Sequence, residues 1–271
     1  MSREPRLAGK VAVISGASRG FGQAIAVRFV EEGAKVVCLS RSGCDETLSQ
    51  IAQIDGLDKD VSAVAISVKC DISNESNIQR MYQSMADVFG DKLHILVNNA
   101  ALFIFESVEN ATSEMWDRSS AVNIKGHALM TKHAIPFMKN AGGGSIVFQG
   151  SISSFLGQPN CATYATAKGA ITQLARSCAY DLAKYSIRCN SICAGTIETP
   201  ISAKERESHS WSYEEWERLK TQDVMLRRVG TTREIANATL FFASDESSYC
   251  TGTHLMVDGG QTATTVMAEG S

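Results

Sequence analysis

Short apolar runs alternate with longer amphipathic stretches from one end of the chain to the other. Runs such as Val36-Val37-Cys38-Leu39 are apolar throughout, as in strands buried on both faces of a parallel sheet. The pattern predicts strands at 11–15, 35–39, 62–67, 93–97, 145–148, 188–193 and 254–257. It predicts helices near 20–32, 44–55, 74–89, 112–139, 161–184 and 231–243. This alternation indicates an α/β fold: a single doubly wound Rossmann-type domain with a seven-stranded parallel sheet and helices on both faces.

The pattern gives no boundary inside the chain, since no linker rich in proline, glycine or serine divides it. We therefore expect one domain over residues 1–271. Residues 197–224 interrupt the alternation with a polar segment that contains Trp211, Tyr213 and Trp216. Long irregular segments in compact domains are often active-site lids, so we expect a substrate lid at about 197–224.

Composition and charge exclude several classes of function. Hydrophobic residues make up 44% of the 271 positions and charged residues 20%, as in ordinary globular proteins. A net charge of −3 gives no reason to expect nucleic acid or an anionic membrane as a partner. No apolar run approaches the ~20 residues of a membrane span, and residues 1–10 do not resemble a signal peptide. We expect a cytoplasmic protein.

The eight cysteines do not indicate a metal site or a disulfide framework. No two of them have CxxC spacing, and only five histidines accompany them. Several lie within apolar runs, where a thiol acts as a small hydrophobic group. We expect reduced, mostly buried thiols and no bound metal.

A glycine-rich segment follows the first predicted strand and opens the first predicted helix. Glycines there permit a tight turn and a close approach of the backbone to a pyrophosphate, and the helix N-terminus offers free N–H groups. The alternative is a purely structural turn. The strand–glycine–helix context favours dinucleotide binding by Gly16, Ser18, Arg19, Gly20, Phe21 and Gly22.

Tyr164 and Lys168 are four residues apart in a predicted helix, and Ser151 precedes the tyrosine by thirteen residues. Residues at this spacing lie on one face of a helix. A phenol has an ordinary pKa of about 10, and a neighbouring ammonium favours the phenolate. We therefore expect Lys168 to lower the pKa of Tyr164 by roughly three units, toward the range useful for acid–base catalysis. The alternative is a solvent-exposed helical pair that arises by chance.

Together these motifs resemble the short-chain dehydrogenases/reductases of about 250 residues. The resemblance covers nearly the whole chain. It rests on the glycine segment, Asp71-Ile72, Asn98-Asn99-Ala100, Asn123, Gly150-Ser151, Tyr164-Ala165-Thr166-Ala167-Lys168, and Ala194-Gly195 through Thr199. The glycine spacing, G-x-x-x-G-x-G, also matches this family rather than the commoner G-x-G-x-x-G pattern.

The resemblance implies roles for residues on both sides of a nicotinamide cofactor. Asp71 would bond the adenine amino group beside Ile72, and Asn99 with Ala100 would line the adenosine ribose. Ile197 and Thr199 would hold the carboxamide. For Asp71 the alternative is a helix cap, and for Asn99 it is a turn after a strand.

The resemblance also implies a catalytic group of four residues: Asn123, Ser151, Tyr164 and Lys168. Tyr164 would donate a proton to the carbonyl oxygen during reduction, and Ser151 would orient that oxygen. Lys168 would lower the phenol pKa and bind the ribose, while Asn123 would hold a water that relays protons. The alternative for Asn123 is a kink in a helix. His127 and His133 are expected to be helix-face residues rather than proton carriers.

The residues after the second strand bear on the choice of nicotinamide. No acid stands at the end of that strand, where a carboxylate would select NAD. Arg41 follows it, and Arg19 lies in the glycine loop. Two arginines can clamp the additional phosphate of NADP. We expect NADP, with NAD less favoured; the alternatives are two solvated arginines, or Asp45 reaching back to the ribose.

Three residues depart from the family pattern. Ala101 replaces the usual glycine after Asn-Asn-Ala, which is costly if that position needs positive φ. Ala194 replaces a proline, and Phe21 replaces a smaller aliphatic residue. These changes affect loop rigidity and substrate fit but leave every reacting group in place.

We therefore predict an NADP(H)-dependent oxidoreductase that acts on a small carbonyl or alcohol substrate. A non-catalytic nucleotide-binding sensor or scaffold on the same fold is the alternative, and a longer sugar-nucleotide epimerase fits poorly. A mainly apolar pocket is expected from Leu102, Phe103, Ile152, Gln158, Asn160, Cys161 and the lid. Family resemblance implies a homotetramer, with contacts through 112–139, 161–184 and 255–260.

Overall fold

The computed structural model describes residues 4–57 and 60–263. The predicted domain range of 1–271 thus includes residues 1–3, 58–59 and 264–271, which lie outside the described residues. Within the described residues, seven strands, β1 to β7, form one sheet: Val11–Ser15, Lys35–Ser40, Ala65–Lys69, Ile95–Asn98, Gly144–Ser151, Ile187–Ala194 and His254–Val257. The α-helices of the same residues, α1 to α9, are Gly20–Glu31, Asp45–Ile51, Glu75–Phe89, Ser113–Ser120, His127–Asn140, Ala162–Leu182, Pro200–His209, Tyr213–Lys220 and Thr232–Ala243.

The sheet has the order β3-β2-β1-β4-β5-β6-β7, and its neighbouring strands run parallel. The order reverses between β1 and β4, so the connections leave these two strands in opposite directions. In open parallel sheets this reversal opens a crevice at the carboxyl ends of the strands. The predicted Rossmann-type fold, with its seven parallel strands, is confirmed.

Alternate residues of the strands bury two separate cores, one on each face of the sheet. Val11 and Val13 face one core, which α3, α5 and α6 cover. Ala12 and Ile14 face the other, which α1, α2 and α9 cover. Both faces of the central strands are therefore dry, which explains their uninterrupted apolar sequence.

Two predicted elements differ from those observed. The strand predicted at 62–67 occupies Ala65–Lys69, because Val61–Ala63 form a short 3₁₀ turn whose preceding Asp60 accepts a hydrogen bond from Ser62 N at 3.0 Å. The helix predicted over 112–139 is two helices, α4 and α5, joined by a π-helical segment at Ala121–Gly126. Propensity detects helix throughout this region but does not detect the change in hydrogen-bond register.

The segment predicted as a lid contains two helices, α7 and α8, rather than an irregular loop. Both begin with a capping box: Thr199 pairs with Ser202, and Ser212 pairs with Glu215. Trp216 is buried and donates from Nε1 to Glu205 Oε2 at 3.0 Å. Along the described part of the chain, no helix is long and apolar enough to cross a membrane.

Candidate active site

The glycine segment forms the turn between β1 and α1. Gly16 and Gly20 have φ of +69° and +61°, in the left-handed region that favours glycine. A β-carbon at Gly16 would lie 2.8 Å from Ala100 Cα, and one at Gly22 would collide with the Gly16 carbonyl. Among the described residues, no side chain caps the start of α1. Its N–H groups therefore face the crevice as an anion site.

Asn99 secures this turn from the neighbouring strand. Its Nδ2 donates to Ser15 O at 2.8 Å and to Gly16 O at 3.2 Å, and its backbone N donates to Ser15 Oγ at 3.0 Å. Asn99 therefore has the structural role that we stated as its alternative, and it also lines the crevice.

A cleft of about 670 Å³ lies at the carboxyl ends of the strands. Fifteen of the seventeen predicted site residues line this cleft. Of the other two, Asn123 is fully buried and Gly22 belongs to the glycine turn. The predicted residues that line the cleft are Gly16, Ser18, Arg19, Gly20, Phe21, Arg41, Asp71, Ile72, Asn99, Ala100, Ser151, Tyr164, Lys168, Ile197 and Thr199.

Asp71 follows β3 at one end of the cleft. Its Oδ1 accepts from Ser73 N at 2.9 Å and from Ser73 Oγ at 2.7 Å, which closes a turn ahead of α3. The cap of α3 itself is Asn74, whose side chain accepts from Asn77 N. Asp71 therefore shapes the entry to the helix without being its cap, and it faces the cleft beside Ile72.

Arg19 and Arg41 are both exposed and line the same end of the cleft. Ser40 and Ser42 flank Arg41 there. Asp45 is the first residue of α2 and is not among the residues that line the cleft. Two different loops therefore bring an arginine to the cleft, whereas Asp45 is not part of its wall.

Ser151, Tyr164 and Lys168 meet near the other end of the cleft. Ser151 is the last residue of β5, and the other two lie one turn apart on α6. Lys168 Nζ lies 5.6 Å from the centre of the Tyr164 ring and donates to Gln149 O at 2.6 Å. The ammonium and the phenol are thus on the same side of the helix and line one cleft, so the alternative of a solvent-exposed helical pair is excluded.

The protonation of this group differs from the prediction. Burial raises the pKa of Tyr164 to about 12, and a hydrogen bond with Ser151 opposes that rise. Burial also lowers the pKa of Lys168 to about 8. The pKa of Tyr164 therefore lies above its ordinary value rather than below it in the polypeptide by itself, because desolvation of the phenolate is the largest effect. At neutral pH the phenol keeps its proton.

Asn123 lies fully buried behind the cleft, within the π-helical segment. Its Oδ1 accepts from Leu102 N at 2.7 Å, and its Nδ2 donates to Leu102 O at 2.8 Å. The backbone N–H and C=O of one residue, Leu102, are therefore both bonded to one side chain. The helix is distorted here, as the alternative for Asn123 supposed, and π-segments are frequent at functional sites.

The substrate end of the cleft has fewer members than predicted. Leu102 and Phe103 line it, together with Ile197, Pro200 and Ile201 from the start of the lid. Four predicted members are not among the lining residues: Ile152, Gln158, Asn160 and Cys161. Gln158 instead accepts a hydrogen bond from Ser153 Oγ, and Cys161 pairs with Glu106 in a β-bridge.

Comparison with known proteins agrees with this architecture. The model of the enoyl-(acyl carrier protein) reductase family matches residues 16–262. The NADP-dependent (R)-specific alcohol dehydrogenase of Lentilactobacillus kefiri is 36% identical over 95% of this chain and 98% of its own. The trans-4-hydroxycyclohexanecarboxylate dehydrogenase of Sinomonas cyclohexanicum is 37% identical over 97% of each. A short-chain type dehydrogenase/reductase structure from Mycobacterium marinum superposes with a TM-score of 0.85 at 28% identity, covering 96% and 98% of the two chains.

The chain belongs to the short-chain dehydrogenase/reductase family. Like other members of this family it is an NAD(P)-dependent oxidoreductase, as the resemblance implied. The cleft suits a dinucleotide on structural grounds as well. Only glycine fits at Gly16 and Gly22, and the uncapped start of α1 faces the place where a pyrophosphate would lie.

The departures from the family pattern are accommodated without strain. Ala101 is not among the described residues with positive φ, so its side chain carries no backbone cost. Ala194 ends β6, and Gly195 follows where a β-carbon would lie 2.7 Å from Asp258 Cα. Phe21 packs against two clusters of buried residues that both include α9, and it lines the cleft.

Two buried residues near the site make hydrogen bonds that the sequence did not predict. Gln149 supplies the carbonyl that accepts from Lys168, and a backbone atom leaves no trace in the sequence pattern. His127 is fully buried at the start of α5 and bonds Ala100 O through Nε2 at 2.8 Å. His133 lies on the outer side of the same helix, where its Nε2 is 2.7 Å from Glu75 Oε1. Both histidines lie on helix faces as predicted, but His127 faces inward.

Proposed function

We propose that this protein transfers hydride between NADP(H) and a small carbonyl or alcohol substrate, with Tyr164 as the general acid/base. One observation carries the proposal: Ser151, Tyr164 and Lys168 open to the same cleft as the glycine turn. The nicotinamide supplies the hydride, and the chain's own residues bind the substrate oxygen and move a proton.

The protonated state of Tyr164 suits the carbonyl-reduction step. With a pKa of about 12, the Tyr164 hydroxyl keeps its proton at neutral pH and donates it to the oxygen that becomes negative. Ser151, already bonded to this tyrosine, stabilises the same oxygen as a preorganised dipole. Lys168, whose Nζ lies 5.6 Å from the centre of the Tyr164 ring, stabilises the phenolate that remains after the proton transfer. Asn123 would hold the water that returns a proton.

A Tyr164→Phe variant tests the chemistry. We expect kcat/KM for ketone reduction to fall about 10²- to 10⁴-fold, because the proton donor is lost. NADPH affinity, measured by fluorescence titration, should change little. Tyr180→Phe is the matched control, since Tyr180 lies on the same helix but is 88% exposed. Equal NADPH oxidation by wild type and Tyr164→Phe across a ketone panel would reject Tyr164 as the acid.

We propose NADP(H) over NAD(H) because Arg19 and Arg41 line the cleft and Asp45 does not. Arg41→Ala should weaken NADPH binding about tenfold or more and leave NADH binding nearly unchanged, since it removes charge-assisted hydrogen bonds to one phosphate. Arg118→Ala, an exposed arginine of α4, is the control. Wild-type protein that binds NADH as tightly as NADPH would contradict the preference.

We also propose a cytoplasmic homotetramer, as the family resemblance implied. The eight cysteines are free thiols, as suits a reducing compartment. Strand β7 is an edge of the sheet, and Leu255 on it is exposed, which suits pairing with a second subunit. Light scattering should give four times the chain mass of 29.2 kDa.

A further inference from the structure

Three aromatic rings stand together at the substrate end of the cleft. Phe103 stacks on the Tyr164 ring with centroids 5.1 Å apart and planes inclined by 25°. Phe105 lies 5.6 Å from the same ring and 6.0 Å from Phe103. We call Phe103 and Phe105 the aromatic wall. It presents flat apolar faces immediately beside the proposed proton donor.

Backbone contacts explain why this wall is in place. Alternate residues of the segment 102–106 are tied down by hydrogen bonds or a β-bridge. Asn123 bonds both polar groups of Leu102, Thr163 Oγ1 donates to Ile104 O at 2.9 Å, and Glu106 pairs with Cys161. The two untied residues between them, Phe103 and Phe105, both pack on the Tyr164 ring and therefore project to the same side. Thr163 adjoins Tyr164, which couples the wall to the tyrosine.

Among the described residues, none that line the substrate end of the cleft offers a free charged group to a ligand. The charged residues that line the cleft are Arg19, Arg41, Asp71 and Lys168. The first three stand at the end where the adenosine is proposed, and Lys168 is 3% exposed with its Nζ bonded to Gln149 O. A carboxylate or phosphate on the substrate would therefore lose hydration without gaining a partner there.

The aromatic wall is itself exposed to solvent. Phe103 is 40% exposed and Phe105 is 55% exposed, although both rings are held against Tyr164. Ile201, at the start of the lid, is 41% exposed and lines the same cleft. A flat apolar ligand would remove this surface from water and stack on the rings.

We propose that the substrates are uncharged aromatic carbonyl compounds, or the matching alcohols, whose ring packs on Phe103 with Phe105 at the rim. This inference rests on the proposed function and names its substrate class. In reduction the carbonyl carbon accepts the hydride of NADPH, the C=O π bond breaks, and the oxygen takes the Tyr164 proton. NADP⁺ and a secondary aryl alcohol result, and solvent returns a proton to Tyr164.

Four matched ketones test separately how the flatness, the size and the charge of the substrate affect its binding and reduction. Wild-type protein is assayed for kcat and KM, and for binding by calorimetry in the presence of NADP⁺, with four compounds: acetophenone, cyclohexyl methyl ketone, 4-acetylbenzoate and butanone. Stacking predicts about a twofold to tenfold preference for acetophenone over its saturated analogue, mainly in KM and binding. The carboxylate analogue should bind about tenfold or more weakly than acetophenone.

Variants at Phe103 test whether this residue causes the preference for acetophenone. Phe103→Ala should lower kcat/KM for acetophenone about tenfold, with a smaller change for butanone, and Phe103→Leu should lose the preference for a flat ring while keeping apolar bulk. Phe155→Ala is the control, because Phe155 is 47% exposed and contacts His254 outside the cleft. It should leave both ketones unchanged.

The possible outcomes test the proposed substrate class separately from the proposed oxidoreductase function. Reduction of butanone with no preference for acetophenone, or faster acetophenone reduction by Phe103→Ala, would overturn the inference and keep the proposed function. Preferential binding of acetophenone without its reduction would keep the aromatic site and reject the function. Tight binding of 4-acetylbenzoate would overturn the uncharged class.

Discussion

Buried polar side chains carry the chemistry at the scale of single residues. His127 is fully buried, and its Nε2 lies 2.8 Å from the carbonyl oxygen of Ala100. A carbonyl only accepts, so Nε2 carries the proton, and Nδ1 has no partner among the described residues. Burial, with the nearby charge of Lys168, lowers the pKa of His127 to about 3. The histidine is therefore a neutral support for the Ala100 segment.

The free energy of unfolding should depend on pH because His127 is buried in its neutral form. The ordinary pKa is 6.5 and the folded value is about 3, so the unfolded chain binds the extra proton between these values and stability falls as pH falls. From pH 7 to pH 5 the free energy of unfolding should drop by about 2 kcal/mol more in wild type than in His127→Gln, measured by urea denaturation.

The exposed His209 provides the comparison, since His209→Gln should follow wild type. Parallel pH dependence in wild type and His127→Gln would mean that His127 accepts a proton in the folded state.

Two elements differ most from their sequence patterns. The helix predicted at 112–139 is interrupted where Asn123 reaches across to Leu102, and this contact joins residues 21 positions apart. The polar composition of residues 197–224 predicts an irregular segment and hides the periodicity of two short amphipathic helices. The spacing of Ser212 and Glu215 is nevertheless that of a capping box, which marks the start of α8.

We propose that α7 and α8 act together as a lid whose stability depends on Trp216. This side chain is 1% exposed, bonds Glu205, and lies 5.0 Å from the guanidinium of Arg206. Trp216→Ala should cost about 3–5 kcal/mol locally and speed limited proteolysis at 200–215 about tenfold or more. NADP⁺ should slow this cleavage, because Thr199, Pro200 and Ile201 line the cleft.

Trp211→Ala is the control within the same segment, since Trp211 stacks on His209 at the surface. Unchanged cleavage in Trp216→Ala, or identical cleavage with and without NADP⁺, would argue against a lid.

At the scale of the whole molecule, one sheet joins every part of the site. The glycine turn follows β1, Asn99 follows β4, and Ser151 ends β5, so three adjacent strands deliver these groups to one edge. Cores on both faces of the sheet share the same central strands. Neither core can be exposed without the other, which supports our proposal of a single domain.

A single domain predicts one cooperative unfolding transition. Far-UV circular dichroism and calorimetry should give the same midpoint on heating, and saturating NADP⁺ should raise that midpoint as a unit because it binds only the folded state. Two separated transitions, with only one shifted by NADP⁺, would indicate two independent folding units.

The sequence by itself determined the alternation of strands and helices, the glycine turn, and the placing of Tyr164 and Lys168 on one helix face. These depend on local periodicity and steric limits, which short stretches of chain encode. The tertiary structure alone decided the π-segment at Asn123, the residues that line the substrate end, and the protonation of Tyr164. Each of these depends on burial and on partners distant in sequence, and burial is the largest effect on the pKa of the phenol.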